Sequence, residues 1–399
     1  MPPHRGTSAG TLLAHAFAAG AFTATEAIDA TGLTRSTVLA ACEELVRLGW
    51  LRELDDARAA GEYRMGRPAR RYELEERAGV VVGIDAGQHR VTVLVADLRG
   101  RVLTRAEGAL GVSGLDVPVR LGVVADTAAA ALAAVDVPPE RVLVTALGIP
   151  APVDISGASP GDGGFWDRMN PGFAGAVPGA RVVVENDANL AAIAERPSSG
   201  AASFAALLSG ERFGAGLVVD GVLLRGAHGG AGEMRVLGLV DGVGSSDGIG
   251  ATARTLVAEL VPGGATESSG ALTPTSTAAD VFAAARAGDP LAAVIVDRLG
   301  DRLARVCVLL ASLLDIDRVV VAGAIAEPAT AVIDRARALL DAWDYDPVPE
   351  IVASSLGGDV VVLGAVAHAL DAVRADPLSF SVRVRTASPG GAVSRTPTR

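Results

Sequence analysis

One supersecondary pattern occurs twice in this chain, and it constrains the fold more than any other feature of the sequence. Residues 79–108, GVVVGIDAGQHRVTVLVADLRGRVLTRAEG, predict three strands joined by two tight turns, because apolar runs alternate with Asp- and Gly-containing turns. Residues 202–226, ASFAALLSGERFGAGLVVDGVLLRG, predict the same order of strands and turns. Helical patterns follow each copy. The repetition predicts an α/β fold of two similar lobes with a cleft between them.

The size of the chain predicts more than one domain. It has 399 residues, half of them apolar, which exceeds what a single hydrophobic core usually serves. Asp, Arg or Gly interrupts every apolar run within about a dozen positions, short of the roughly 20 residues that a membrane helix needs, and the N-terminus lacks a clean signal-peptide layout. We therefore expect a cytoplasmic protein without a membrane segment. Cys42 and Cys307 lie far apart in helical patterns, which predicts buried core residues and neither a disulfide nor a zinc site.

The first 78 residues predict a different type of domain from the α/β pattern of the rest. Three helices are predicted between residues 11 and 50, where Thr23 or Thr25 can cap the second helix and Gly32 ends it. The strand patterns LRELD and RRYELEE then flank an Arg-rich loop, which is typical of a wing. The net charge of −11 argues against a protein coated in nucleic acid, but this segment is nearly balanced and holds a dense basic cluster. We predict a winged helix-turn-helix.

Two groups of residues in this segment are candidates for contacting DNA. The start of the second helix of the helix-turn-helix would lie near base edges, whereas the wing would meet phosphates or the minor groove. The first group is Thr34, Arg35, Ser36 and Thr37, and the second is Arg64, Arg67, Arg70 and Arg71. The alternative is a helical hairpin that does not bind DNA.

Four stretches converge on the predicted cleft: IDAG ending at Gly87, MNPGF, ENDAN and GAHGGAGEM. They place two carboxylates and two amides around one space, and such groups suit a polyhydroxylated ligand because each can bond adjacent hydroxyls. A carboxylate at a strand-to-helix junction can also act as a general base. The candidate ligand-binding residues are Asn170, Asn186, Asp187 and Glu233.

Structural roles compete with these assignments. Asp187 could be only the N-cap of its helix, and Asp85 could serve only to fix its hairpin. The glycines of GGAGE could serve only a tight turn, which would leave Glu233 as a solvated acid. His89 and His228 are expected to be surface or turn residues, because no second histidine stands at metal-ligand spacing.

Taken together, these motifs resemble those of a family, the ROK group of bacterial repressors and sugar kinases. Within that group they resemble the repressors that have an N-terminal winged helix-turn-helix. The resemblance rests on the order of GLTRSTV, GRP, IDAG, GIPAPVD, ENDANLAAIAE, VDGVLLRGAHGGAGE and DRVVVAGAIA. It implies an actin-like (ribonuclease H-like) two-lobed domain. It also implies that Asp187 occupies the position of the kinase base and that Asn170, Asn186, Asp187 and Glu233 match sugar-contacting positions.

The sequence departs from the catalytic members of that family in three places. Gln88, His89 and Arg90 fill the first phosphate loop with bulk, and Glu211 and Arg212 stand in the second loop where Thr and Gly are expected. An unneutralised anion there would repel a triphosphate. The zinc-binding histidine and cysteines of the family are also missing after Glu233, so we expect that loop to be held by the packing of Met234 and Leu237.

These observations predict a winged helix-turn-helix at 1–78, one lobe at 79–198 to which 363–375 returns, a second lobe at 199–362 and a disordered tail at 376–399. The predicted function is a sugar-responsive regulator of carbohydrate genes, most simply a repressor, that is a homodimer or homotetramer and binds operator DNA. No kinase activity, cofactor, metal or membrane is expected. One alternative is a sugar kinase with a fused DNA-binding domain. Another is an architectural DNA binder that responds to no ligand.

Overall fold

The computed structural model describes residues 6–54, 70–111, 115–161, 163–261, 271–343, 346 and 348–382. The chain divides into two compact units. The first comprises Met1–Val80 with Asp97–Arg101 and Ala372–Arg399, and the second comprises Val81–Ala96 with Val102–Asp371.

The first unit contains the three predicted helices and a small sheet. Its elements are α1 (Ser8–Ala18), β1 (Phe22–Thr23), α2 (Ala24–Thr31), α3 (Arg35–Leu48), β2 (Leu51–Leu54) and β3 (Arg71–Leu74). Thr23 caps α2 in a capping box with Glu26, and Gly32 ends that helix at φ 69°. Both predicted boundaries of α2 are therefore confirmed, with Thr23 rather than Thr25 as the cap. Cys42 of α3 is a buried free cysteine, as predicted.

The sheet of the first unit is antiparallel, with strand order β1-β3-β2. Leu51 pairs with Leu74 between the two predicted wing strands, which confirms them with shorter bounds. The sequence did not indicate β1, because two residues are too short to show a period. Phe22 of β1 pairs with Tyr72 and both rings are buried, so β1 joins the sheet to the core beneath it. Arg64 and Arg67 lie outside the described residues.

The second unit contains two five-stranded sheets. The elements around the first sheet are β4 (Val80–Ala86), β5 (Arg90–Ala96), β6 (Val102–Ala109), α4 (Val117–Ala133), β7 (Val142–Ile149), α5 (Phe165–Met169), β8 (Arg181–Asn186) and α6 (Asp187–Glu195). The elements around the second sheet are β9 (Phe204–Leu208), β10 (Gly214–Val219), β11 (Val222–Leu224), α7 (Ile249–Leu260), α8 (Ala278–Arg286), α9 (Pro290–Leu314), β12 (Arg318–Ala322), α10 (Thr330–Ala342) and β13 (Glu350–Ala353). Helix α11 (Val360–Ala375) follows in the chain and packs on the first sheet.

The two sheets have the same topology. Their strand orders are β6-β5-β4-β7-β8 and β11-β10-β9-β12-β13, so the strands correspond one to one. Strands β4, β5 and β6 form an antiparallel meander in the first sheet, as do β9, β10 and β11 in the second. The two remaining strands of each sheet, β7 with β8 and β12 with β13, pair in parallel. The predicted pair of similar α/β lobes is thus confirmed. We call the sheet of β4–β8 with its helices the first lobe and that of β9–β13 with its helices the second lobe.

Helix α6 is clamped between the second sheet and α11. A Cβ atom at Gly216 of β10 would overlap the carbonyl oxygen of Ala188, and one at Gly364 of α11 would overlap that of Leu190. Helix α11 in turn lies on the first sheet, where a Cβ at Gly83 would come 2.7 Å from the Val362 carbonyl oxygen. These backbone contacts admit only glycine. They fix the position of the N-terminal end of α6.

One helix in the described residues is long and apolar enough to span a membrane by length and composition. The window is Val117–Ala134, and it includes Arg120 and Asp126. One third of that window is buried. The helix packs against strands β5 and β6 of the first sheet, and Arg120 is fully buried there.

Gly364→Ala tests the clamp on α6. The added methyl group would overlap the backbone of α6, so the free energy of unfolding should fall by about 1–3 kcal/mol, measured by urea denaturation. Gly122→Ala in α4 is the matched control, because a Cβ there meets no atom within 4 Å. That control should be neutral or stabilising by about 0.5–1 kcal/mol. Equal effects of the two substitutions would contradict the close contact.

Candidate ligand-binding cleft

Asn186, and not Asp187, caps helix α6. The side-chain oxygen of Asn186 accepts hydrogen bonds from the backbone N–H groups of Ala188 at 2.9 Å and Asn189 at 3.1 Å. Asp187 is the first helical residue, and its carboxylate accepts only the Ala188 N–H, at 2.8 Å, among the described residues. The alternative that Asp187 serves merely as the N-cap is therefore wrong. Its second carboxylate oxygen is available for another role.

The carboxyl group of Asp187 belongs to a cluster of three acids. Burial, together with the nearby charges of Asp85 and Glu233, raises the pKa of Asp187 to about 7, against the opposing hydrogen bond from Ala188. Asp85 follows the same rule, because burial raises its pKa to about 6 although Arg90 and Arg120 act to lower it. Two carboxyl groups that repel one another titrate as a pair. Near neutral pH this pair can both donate and accept a hydrogen bond.

Asp85 follows Ile84 at the end of β4, as predicted, and its charge raises the pKa of Asp187. Its carboxylate accepts no hydrogen bond within the described part of the chain. A role limited to fixing the hairpin requires such hydrogen bonds. The structure therefore gives that alternative no support at Asp85.

Glu233 is the exposed member of the cluster. Partial burial raises its pKa, and the charges of Arg235 and Arg212 lower it. Its position is set by a β-bridge to Gly214 and by the hydrogen bond from Ala215 N–H to Gly232 O, of 3.1 Å. The loop before Glu233 thus continues the edge of the second sheet.

The glycines of that loop serve protein packing. Gly229 and Gly232 have φ of 72° and 84°, and a Cβ at either position would overlap a carbonyl oxygen, that of Val153 or that of Ala215. At Gly229 and Gly232 the close neighbour is the protein's own backbone, which supports the structural role at these two positions. His228 and His89 are exposed, as predicted.

The two candidate amides are engaged within the protein. Asn170 donates through Nδ2 to Gly157 O and to Ser159 Oγ, both at 3.0 Å, so only its oxygen is left to face a ligand. Asn186 donates to Ala151 O at 3.0 Å besides capping α6. The structure therefore brings Asp85, Asp187 and Glu233 together and gives Asn186 a structural task.

Arg120 of α4 connects two parts of the cleft that sequence reasoning treated separately. Its guanidinium donates to Ala86 O, to Gly87 O at 2.8 Å and to Met169 O at 3.3 Å. Burial lowers the pKa of Arg120 to about 10, and Asp85 partly offsets this. The first hairpin and the MNPGF turn are thus joined through one buried cation. A lone arginine on an otherwise apolar helix was the signal that could have indicated it.

The turn of the first hairpin is as bulky as the sequence suggested. Gln88 is half-buried, whereas His89 and Arg90 are exposed, and Arg90 lies 3.7 Å from Glu107. The carbonyl oxygen of His89 accepts the N–H of Leu110 at 2.9 Å. This turn is consequently tied to the end of β6.

The turn of the second hairpin is covered by the segment before α7. Phe213 N–H donates to Ser246 O at 2.8 Å, and Gly248 N–H donates to Glu211 O at 2.9 Å. The side chain of Glu211 is ion-paired with Arg254 at 2.6 Å, so it is not the unneutralised anion that we expected. The charge of Glu211 therefore gives no reason to exclude a nucleotide. The backbone N–H of Phe213 is already hydrogen-bonded to Ser246 O. This disfavours nucleotide binding, because a phosphate would need free N–H donors there.

An ion pair between a buried glutamate and a partly exposed arginine links the two lobes beside the cleft. Arg225, after β11, donates through Nε and Nη2 to Oε2 of Glu185 on β8, both at 2.8 Å. Oε1 of Glu185 accepts from Asn189 Nδ2 at 2.9 Å. Sequence reasoning passed over both residues, although a glutamate inside a buried strand requires a cationic partner.

The residues after Glu233 do not fit a zinc site. The position three residues on is Val236, which is 53% exposed. The described residues contain no group of three or more His, Cys, Asp or Glu side chains that could hold a metal ion. Met234 and Leu237 are buried in the core of the second lobe, which confirms the predicted packing.

Comparison with known proteins agrees with this architecture. The sequence profile of the ROK family matches residues 176–372. Residues 176–372 are a ROK family domain. The glucokinase of Halalkalibacterium halodurans is 28% identical over 203 residues, which are 46% of this chain and 62% of that protein. The chain thus spans less than two thirds of this relative.

Solved structures extend the likeness beyond the ROK domain. A ROK family transcriptional regulator, a homologue of the E. coli Mlc protein, covers 92% of this chain and is itself covered to 98%, with a TM-score of 0.67 and 18% identity. The ROK glucokinase of Streptomyces griseus, in complex with glucose and AMPPNP, covers 73% of this chain and is covered completely, with a TM-score of 0.54 and 24% identity. At these identities the likeness shows the fold. It confirms the predicted actin-like architecture of the ROK domain.

Asp187→Asn tests the raised pKa in the cleft. A carboxyl group whose pKa is higher in the folded than in the unfolded chain keeps its proton longer when folded, so stability falls as the pH rises from about 4 to about 7. The variant removes this loss and should be more stable than the wild type by on the order of 2 kcal/mol at about pH 8, but not at about pH 4. Urea denaturation at both pH values measures it. Asp126→Asn, on the exposed face of α4, is the control, and a pH-independent difference for Asp187→Asn would refute the shift.

Proposed function

We propose that this protein is a sugar-responsive transcriptional regulator, most simply a repressor. Residues 1–78 would bind double-stranded operator DNA as a winged helix-turn-helix. The lobes at 79–198 and 199–362, with 363–375 returning to the first, would bind a sugar or sugar derivative in their cleft. The observation that carries the proposal is the exposed N-terminal turn of α3 beside a three-stranded winged sheet, in a chain that also has a ROK cleft.

The first turn of α3 is the part of that helix suited to reading bases. Arg35 and Ser36 are exposed, and the Oγ1 atom of Thr34 lies 2.8 Å from that of Thr37 and 3.2 Å from Ser36 Oγ. Further along the helix Glu43 and Glu44 are exposed, and phosphates would repel them. Arg35 and Ser36 are therefore the strongest candidates for contacts with base edges.

The described end of the wing carries two arginines with different surroundings. Arg70 lies 3.3 Å from Glu53, so a phosphate must displace or share that carboxylate. Arg71 stands in β3 opposite Leu54. A contribution to phosphate binding is proposed for both, and for Arg64 and Arg67 of the wing loop.

The acid cluster supports a polyhydroxylated ligand in the cleft. Asp85 and Asp187 together can accept a hydrogen bond from one hydroxyl and donate to another, and Glu233 adds a further acceptor. The oxygen of Asn170 completes the set. The likeness to a glucokinase solved with glucose supports the same class of ligand.

A regulator of this design would act in the cytoplasm as a homodimer or homotetramer. The two recognition helices of a dimer can bind half-sites about one DNA turn apart only when the distance between the helices matches the distance between the half-sites. A sugar that favours a closed cleft would shift the population of the protein toward a conformation with another spacing. DNA affinity would then depend on the sugar.

Arg35→Ala tests the DNA-reading role. Loss of a base contact worth about 1–3 kcal/mol should weaken binding by about tenfold or more, measured by gel shift on a duplex that the wild-type protein selects from a random pool. Arg47→Ala is the matched control, because Arg47 lies about 18 Å further along the same helix. Unchanged binding by Arg35→Ala would remove Arg35 from the base-reading role. Failure to enrich any sequence would argue against an operator.

Asp187→Asn and Glu233→Gln test the sugar site. At least one member of a panel of hexoses and amino sugars should raise the melting temperature of the wild-type protein, because a ligand that binds only the folded state stabilises it. Both variants should lose that shift, and Asp126→Asn should retain it. A wild-type shift in the variants would place the sugar elsewhere. No shift in the wild type would favour an architectural DNA binder.

One observation favours the alternative, a sugar kinase with a fused DNA-binding domain. Asp187 belongs to the acid cluster of the cleft and is not the N-cap of α6. Its pKa of about 7 suits a general base that takes a proton from a sugar hydroxyl. Coupled ADP release with the same sugars decides the matter. The regulator proposal predicts no sugar-dependent ADP release, whereas release that disappears in Asp187→Asn would establish the kinase.

A further inference from the structure

The guanidinium group of Arg302 is enclosed by the segment that connects the cleft to helix α7. Arg302 projects from α9 and is only 7% exposed. Its nitrogen atoms donate to three backbone carbonyl oxygens, and its plane lies 5.0 Å from the ring of Phe213. The acceptors are Val243 O at 2.9 Å, Ser245 O at 2.5 Å and Asp247 O, together with Thr252 Oγ1 at 2.7 Å and Ser245 Oγ at 3.1 Å.

This arrangement concentrates carbonyl dipoles on one cation. Three carbonyl oxygens brought together would repel one another without a positive charge between them. Burial lowers the pKa of Arg302, and the charge of Asp247 opposes this. One turn further along α9, Arg305 supports the same segment, since a Cβ at Gly242 would lie 2.7 Å from its Nε.

The segment held by Arg302, residues 243–249, also contacts the hairpin that borders the cleft. On its other side Ser246 O accepts the N–H of Phe213, and Ile249 N–H donates to Ser209 O at 2.7 Å, so the turn of the second hairpin is held in place. The strand that leaves this turn begins at Gly214, which bridges to Glu233. A continuous set of backbone contacts therefore runs from Arg302 to an acid of the cleft.

We propose that Arg302 is the positioning residue of this cleft and performs the structural task that the ROK resemblance would assign to zinc. A guanidinium group offers five donors in one plane and carries a fixed charge. It can therefore bind several carbonyl oxygens of one turn, as a metal ion binds several ligands, and the residues of this segment provide no metal-ligand set. The order of the second hairpin and of Glu233 then depends on Arg302 and not on a bound metal. This holds whichever ligand the cleft takes.

The wild-type protein provides the first test. The full-length chain is purified without chelator, its zinc content is measured by mass spectrometry, and its melting temperature is recorded with and without EDTA. The expected result is no stoichiometric zinc and an unchanged melting temperature. Stoichiometric zinc whose removal lowers the melting temperature would overturn the proposal.

Variants at Arg302 provide the second test. In Arg302→Met, amide hydrogen exchange should accelerate about tenfold or more in peptides that cover residues 209–213, 232–234 and 243–249, and remain unchanged in β12. Arg302→Lys should show a smaller effect, because an ammonium group keeps the charge but cannot hold three carbonyl oxygens in one plane. Arg298→Met, at an exposed position of the same helix, is the control.

The pattern of exchange separates a positioning role from general stabilisation. Faster exchange confined to the three cleft peptides, graded from lysine to methionine, supports the proposal. Equal exchange in Arg302→Met and Arg298→Met would contradict it, as would a uniform increase that includes β12. If Arg302→Met does not fold, the same comparison is made between Arg302→Lys and Arg298→Met, and exchange equal in these two would contradict it.

Discussion

The contact of helix α6 with its two neighbours is the constraint on which the cleft depends. Glycines at 216 and 364 allow a strand of the second lobe and helix α11 to touch the backbone of α6 directly. At its C-terminal end Glu195 accepts a hydrogen bond from Ser354, which follows β13. With the helix held from both sides, its first residue, Asp187, is fixed near Asp85, and burial raises the pKa of both carboxyl groups. The chemistry of the cleft is thus a consequence of backbone packing.

Three arginines, two of them buried, organise the rest of the cleft. Arg120 joins the first hairpin to the MNPGF turn, Arg225 joins the two lobes through Glu185, and Arg302 holds the segment beside the second hairpin. In two of these three cases the acceptors are mainly backbone carbonyl oxygens, which arginine can bind several at a time. Such cations order loops that contain little secondary structure.

Much of this architecture was predictable from the sequence, because it depends on local patterns. The doubled strand-and-turn pattern predicted both sheets, and Thr23 and Gly32 marked the ends of α2 by capping chemistry that acts within four residues. The partners of buried charges were not predictable, since Arg302 and Val243 are far apart in the chain. For the same reason the sequence could not show that Asn186 donates to Ala151 and that Arg254 neutralises Glu211. Long-range contacts decide which polar residues remain available to a ligand.

The most direct test of the central claim is a titration of the aspartate carboxyl groups by ¹³C NMR on the full-length protein labelled at aspartate Cγ, with Asp187→Asn to assign the signal. Clamping of α6 predicts a carboxyl group that titrates near pH 7 and is absent from the variant, together with a second that titrates near pH 6 and is present in both proteins. If every aspartate carboxyl group titrates below about pH 5, the cleft holds solvated acids and the account is contradicted.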